Sequence, residues 1–106
     1  MLVRIIKEVW WPNVINPNSG VVDNKFFNLY GKRVRNIRTL QIFDRWGELV
    51  YSGENLQDGN KAKGLGWNGE FRGDKALPGV YVFYAEVQYE GSPSTDKFKG
   101  EFTLLR

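Results

Sequence analysis

The 106-residue chain has no cysteine and no histidine. Without thiol or imidazole it can form no disulfide, zinc–thiolate site or His-based metal site, and no Ser-His-Asp triad or Cys-His dyad. Lack of cysteine does not locate the chain, because exported bacterial domains also do without it. Long apolar runs are missing as well, and none approaches the ~20 residues that cross a bilayer. The opening Met1-Leu-Val-Arg-Ile-Ile-Lys7 alternates. It lacks the apolar block and small-residue cleavage site of a signal peptide. If the chain is exported, such a segment is expected elsewhere in a longer parent. Neither charge sign dominates: 15 Lys and Arg against 12 Asp and Glu give +3. That excess suits solubility and falls short of a dedicated nucleic-acid binder.

Aromatic residues and glycine are plentiful: aromatics make up 15% of the chain, with four Trp and 12 Gly. A chain of this length forms one domain and buries roughly two thirds of its unfolded surface. Strand signals recur at short intervals, separated by turn residues. Val3, Ile5 and Val9 share one face of a first run. Lys25–Tyr30, Arg35–Phe43 and Glu48–Tyr51 follow, and Gly53–Gly66 reads as a long polar loop. Leu77-Pro78-Gly79 fits a type II turn that launches the longest strand, Val80–Tyr89, with Tyr81, Phe83, Ala85 and Val87 on one face. In the last strand Phe98, Phe102 and Leu104 oppose Lys97, Lys99, Glu101 and Thr103. About seven strands and no helix predict an all-β fold, an immunoglobulin-like antiparallel β-sandwich. A closed barrel is the alternative.

Five constellations carry chemistry. The turn Asp44-Arg45-Trp46-Gly47 lies between two apolar runs. Asp suits the first turn position and Gly the fourth, but nothing in that geometry asks for Arg and Trp at the tip. Either the pair packs over the end of the fold, with Arg stacked on the indole, or it serves recognition. The run Lys32–Arg38 could bind phosphate. It has no interleaved aromatic platform, and a solvated loop and strand edge explains it better. Asn16–Asn24 offers oxygens to Ca²⁺ but only one full carboxylate, so turn formation is the better account. No spacing singles out a carboxylate pair for hydrolysis. Of Trp10 and Trp11, one faces inward and one outward if they lie in a strand.

Five motifs in order resemble a known family: Pro12–Asn18, Ile42–Tyr51 around Asp-Arg-Trp-Gly, Gly66-Trp-Asn-Gly69, Leu77–Tyr84 and Gly100–Arg106. Together they resemble the type B C-terminal sorting domain of the type IX secretion system, the gliding-motility-associated C-terminal domain of Bacteroidota. The resemblance spans nearly all of the chain from Trp11. One segment departs from the pattern. Where the family reads Pro-Asn-Gly-Asp-Gly, this chain has Pro17-Asn-Ser-Gly-Val, so an acidic loop or metal role does not carry over.

The resemblance implies a non-enzymatic secretion signal, one domain over residues 1–106, at the end of a longer secreted parent. It would send folded cargo from the periplasm across the outer membrane to the surface or medium. Its implied partners are the translocon, a PorP/SprF-type outer-membrane protein and cargo domains of the same chain. No cofactor, metal or nucleic acid is expected, and a monomer is. Arg45 and Trp46, with Thr103, Leu104, Leu105 and Arg106, are the expected partner contacts. Asp44, Gly47, Asn68, Gly69, Pro78 and Gly79 are expected to hold the turns that present them. A carbohydrate-binding or adhesin-type module using exposed Trp side chains is the alternative.

Overall fold

Alternation in the expected Val80–Tyr89 strand and in the last strand becomes the centre of the molecule. The computed structural model describes residues 9–21, 24–61 and 66–106. Val3 and Ile5 of the first expected strand, and Asp23 of the Asn-rich loop, lie outside the described residues. Among those described are nine strands: β1 Val9–Trp10, β2 Val14–Ile15, β3 Tyr30–Gly31, β4 Val34–Phe43, β5 Leu49–Leu56, β6 Glu70–Phe71, β7 Asp74–Lys75, β8 Gly79–Tyr89 and β9 Thr95–Leu104.

One five-stranded sheet runs β2-β9-β8-β4-β5, and the pairs β1-β3 and β6-β7 form two small sheets. The fold is all-β and compatible with a sandwich. The sheet is mixed, because β2 lies parallel to β9 through Val14–Thr103 and Ile15–Leu104, whereas the other large-sheet pairs are antiparallel. The expected strand over Lys25–Tyr30 shrinks to one bridge between Phe27 and Trp67 followed by β3. Conversely, β5 continues through Gly53 to Leu56, into what reads as loop. Pairing to β4 overrides its polar composition.

On β8, Tyr81, Phe83, Ala85, Val87 and Tyr89 are all buried, every second residue on one face. β4 buries Val34, Ile37, Leu40 and Ile42, spacings that a regular strand cannot place on one face. Register shifts between Val34 and Asn36 and between Ile37 and Thr39 absorb the extra residues, as bulges do. The same shifts keep Arg35 and Arg38 outside. The basic run is therefore split between a turn, where Arg33 has φ of 60°, and an interior strand. Pairing to β5 begins only at Ile37, so Arg35 precedes it and Arg38 lies within it.

The inner face of the sheet is covered by Phe27, Leu29 and Trp67, which come from irregular segments. Phe27 stacks on Phe102 with centroids 3.9 Å apart and meets Phe83 at 5.0 Å. Trp67 meets Tyr81 at 5.0 Å and donates its indole N–H to the Glu70 carbonyl at 2.8 Å. Phe27 and Trp67 also exchange backbone hydrogen bonds of 2.8 and 3.0 Å. Gly66 sits against that exchange, where an added Cβ would lie 2.1 Å from the Phe27 carbonyl oxygen. Trp11 faces inward onto Phe83 and Phe98, and Gly100 leaves room for it. Trp10 faces outward and stacks on Tyr30 at 6.2 Å.

Candidate functional site

The ends of β4 and β9 and the starts of β5 and β8 meet at one end of the sheet, where Phe43 pairs with Leu49 and Val82, and Gly79 with Leu104. The turn there closes through two backbone bonds: Gly47 N–H to the Asp44 carbonyl at 3.1 Å, and Asp44 N–H to the Glu48 carbonyl at 2.9 Å. This is a type I turn followed by a left-handed Gly47, with φ of 85°. Asp44 adds a second lock. Its Oδ1 accepts N–H bonds from both Trp46 and Glu48 at 2.9 Å.

Trp46 is 71% exposed. Of the two readings left open by its sequence, packing of the indole over the end of the fold is therefore corrected. The stacked cation is present: the Arg45 guanidinium carbon lies 4.8 Å from the centre of the Trp46 ring. Arg45 also donates to the Pro78 carbonyl at 3.5 Å, and a Cβ on Gly79 would lie 3.0 Å from its Nη2. Gly79 has φ of 142°, well away from the roughly 80° of a type II turn. β8 already begins at this residue. Tyr81 fastens the same segment by donating its hydroxyl to the Leu77 carbonyl at 2.6 Å. Burial, reinforced by Asp44, pushes the Tyr81 pKa up against the opposing pull of Arg106 and Arg45.

The chain end divides into different roles. Leu104 is fully buried in the core, so its side chain cannot serve as an expected partner contact. Inward alternation along β9 puts it there. Thr103 N–H bonds the Asn13 carbonyl at 2.8 Å, and Leu105 N–H bonds the Ile15 carbonyl at 2.9 Å. The Leu105 side chain remains 47% exposed. Arg106 turns back onto the fold, donating from Nε to the Ala76 carbonyl at 2.9 Å and from Nη2 to the Gly69 carbonyl. Arg45 and Arg106 thus hold carbonyls at both ends of the 69–78 segment.

That segment contains the β6–β7 hairpin, which the sequence reading did not separate. Asn68 Oδ1 accepts the Glu70 N–H at 3.1 Å, and Gly69 has φ of 81°, so Asn-Gly turns the chain into β6. The hairpin itself closes at Arg72-Gly73, where both residues have positive φ, 54° and 80°. This is the pattern of a type I′ turn. Asn-Gly is the stronger sequence signal and masked the weaker Arg-Gly beside it.

A cleft of about 380 Å³ lies between this hairpin and the β4–β5 turn. Asp44, Trp46 and Glu48 line one side, and Phe71, Arg72, Asp74 and Lys75 the other. Val50, Ala76, Leu77 and Tyr81 also line it. Arg72 stacks on Phe71 at 4.8 Å.

Elsewhere, Asn16 N–H bonds the Asn24 carbonyl at 2.7 Å, and Asn16 Oδ1 accepts the Asn18 N–H at 2.9 Å. The described part of the Asn-rich loop is thus folded by its own turn bonds. No group of three or more acidic or other metal-ligating side chains occurs among the described residues. No described helix is long and apolar enough to cross a membrane.

No curated protein and no solved structure matches the chain. The sequence model of one family, the CHU_C type IX secretion signal domain, matches residues 9–104. That match takes in both hairpins and the cleft between them, and the chain therefore belongs to the CHU_C type IX secretion signal domain family.

Proposed function

We propose that this domain is a recognition signal and not a catalyst. It directs a folded cargo, carried in the same parent chain, from the periplasm across the outer membrane. A translocon component and a PorP/SprF-type outer-membrane protein read the end of the domain that carries Arg45, Trp46, Thr103, Leu105 and Arg106. Family membership supports the secretion role. The observation that carries the choice of surface is Trp46, 71% exposed yet held by both N–H bonds to Asp44. An exposed aromatic on a fixed turn loses little conformational entropy when a partner covers it. Trp and Arg are also the residue types most enriched at binding hot spots.

The test fuses residues 1–106 to a signal peptide and a fluorescent reporter in a bacterium with type IX machinery. Surface or medium fluorescence is then measured. The wild-type fusion is exported, and Trp46→Ala lowers export by at least about tenfold, as loss of a hot-spot contact does. Undiminished export of Trp46→Ala removes this surface from the reading. A wild-type fusion that stays in the periplasm removes the function.

A further inference from the structure

The cleft beside Trp46 has a charge pattern that the turn alone does not explain. Asp44 and Glu48 lie on its β4–β5 side; Arg72 and Lys75 outnumber Asp74 on the hairpin side. None of Glu48, Arg72, Asp74 and Lys75 is ion-paired with another described residue. Apolar groups lie among these charges, and Leu77 is 63% exposed. A volume near 380 Å³ accommodates one or two large side chains but not a folded surface. The cleft is also preset: Asp44 fixes one wall, while Arg106 ties the Gly69 and Ala76 carbonyls at the two feet of the other.

We propose that this cleft seats an extended segment of the protein partner. The segment carries a large apolar side chain, with a basic residue on its Asp44/Glu48 side and an acidic residue on its Arg72/Lys75 side. Opposed, unpaired charges around an apolar floor fit such a segment better than an anionic lipid surface or a nucleic acid, each of which presents negative charge alone. The proposal rests on the reading that this end of the domain faces the partner. Trp46 packs over the seated residue, and Leu77 forms the far side of its pocket.

The export fusion tests it with three cleft variants and one control. Arg72→Glu with Lys75→Glu reverses the basic wall, Leu77→Asp charges the far side of the pocket, and Leu77→Ser trims it at an exposed position. Lys97→Glu with Lys99→Glu makes the same net change on the outer face of β9. Export is expected to fall about tenfold or more for each cleft variant, and to stay within about twofold for the control. Thermal melts of the purified domains establish folding, and Leu77→Ser carries the test if the charged variants unfold. If Trp46→Ala blocks export while the cleft variants match wild type, the cleft assignment is overturned and the Trp46 surface stands. If Trp46→Ala also exports normally, both fall. An equal loss from the Lys97/Lys99 control overturns the cleft assignment in favour of a diffuse charge effect. A photo-cross-linker at position 77 supplies a second readout: its captured partner peptide carries an acidic residue beside an apolar one. A captured peptide without an acidic residue overturns the stated chemistry.

Discussion

At the end of the sheet where β8 finishes and β9 begins, side chains are turned to internal use. Lys61 lies 3.2 Å from Glu90 and also donates to the Val34 carbonyl. Asp58, fully buried, accepts from Gly31 and Asn60 N–H groups at 3.4 and 3.2 Å. Asn28, also buried, accepts from its neighbour Leu29 and donates to the Gln57 carbonyl. Burial, then the Asp96 charge and a hydrogen bond to it, together push the Tyr89 pKa up to about 12. At the opposite end, Trp46, Leu77 and Leu105 stand in solvent, and Trp46 and Leu77 line the cleft with its unpaired charges. The same sheet thus has one end whose polar side chains bond mainly within the fold, with Trp10 44% exposed beside it, and one end where the more exposed Trp46 and Leu77 line a cleft. The cleft end is not loose, because Asp44, Arg45, Tyr81 and Arg106 all bond to its backbone. Rigid backbone under exposed apolar groups is the arrangement expected of a surface that a partner completes.

The comparison breaks most sharply on tryptophan. Trp67→Ala removes a buried indole packed on Tyr81 and Phe102. It should cost about 3–5 kcal/mol in urea unfolding. Trp46→Ala should cost no more than about 0.5 kcal/mol in the same measurement while losing export. A large stability loss at Trp46 would move it from contact to packing.

Next is Asp58→Ala, which strands two N–H groups at the end away from the cleft and should cost about 1–3 kcal/mol. Its export should fall only with the folded fraction, as judged by comparing melts with reporter signal. Asp44→Ala strands the Trp46 and Glu48 N–H groups at an exposed turn, where water can replace the carboxylate. Its stability cost should be smaller, about 1 kcal/mol. Its export should nevertheless fall further than that of Asp58→Ala, because the turn no longer fixes the indole.

The end away from the cleft also predicts an alkaline response. Unfolded Tyr titrates near 10. Folded Tyr89 holds its proton to about 12. The stabilisation is fully present below pH ~10 and is lost as pH rises toward about 12. Denaturant midpoints measured across that window should fall, and Tyr89→Phe should flatten the decline. The smallest effect is Glu90→Gln, which leaves the Lys61 bond to Val34 in place: the exposed pair should contribute less than about 1 kcal/mol and fade in salt.

How much was legible beforehand differs by feature. Period-two alternation gave β8 and β9 nearly residue by residue. The Asp and Gly of Asp-Arg-Trp-Gly gave the turn and its bonds. β2, β6 and β7 were not legible, because a two-residue strand has no period to read. The bulges of β4 were invisible for a related reason: they show only once a partner strand counts the residues. Leu104 illustrates the limit at the site. Its alternation marked it as core and its place near the terminus marked it as contact, and packing chose the former. Arg106 was expected to face a partner, whereas much of its hydrogen-bonding capacity is turned inward onto Gly69 and Ala76.

The sequence by itself determined the all-β class, the long strands, the main turn and the family motifs, because each depends on near neighbours along the chain. Tertiary structure decided the cleft, the two arginine ties and the exposure of Trp46. Residues 44–48 and 71–77 are apart in sequence, and only the pairing of β4, β5 and β8 brings them to one end. Whether an indole is covered depends on which distant segment passes over it, and no local pattern encodes that.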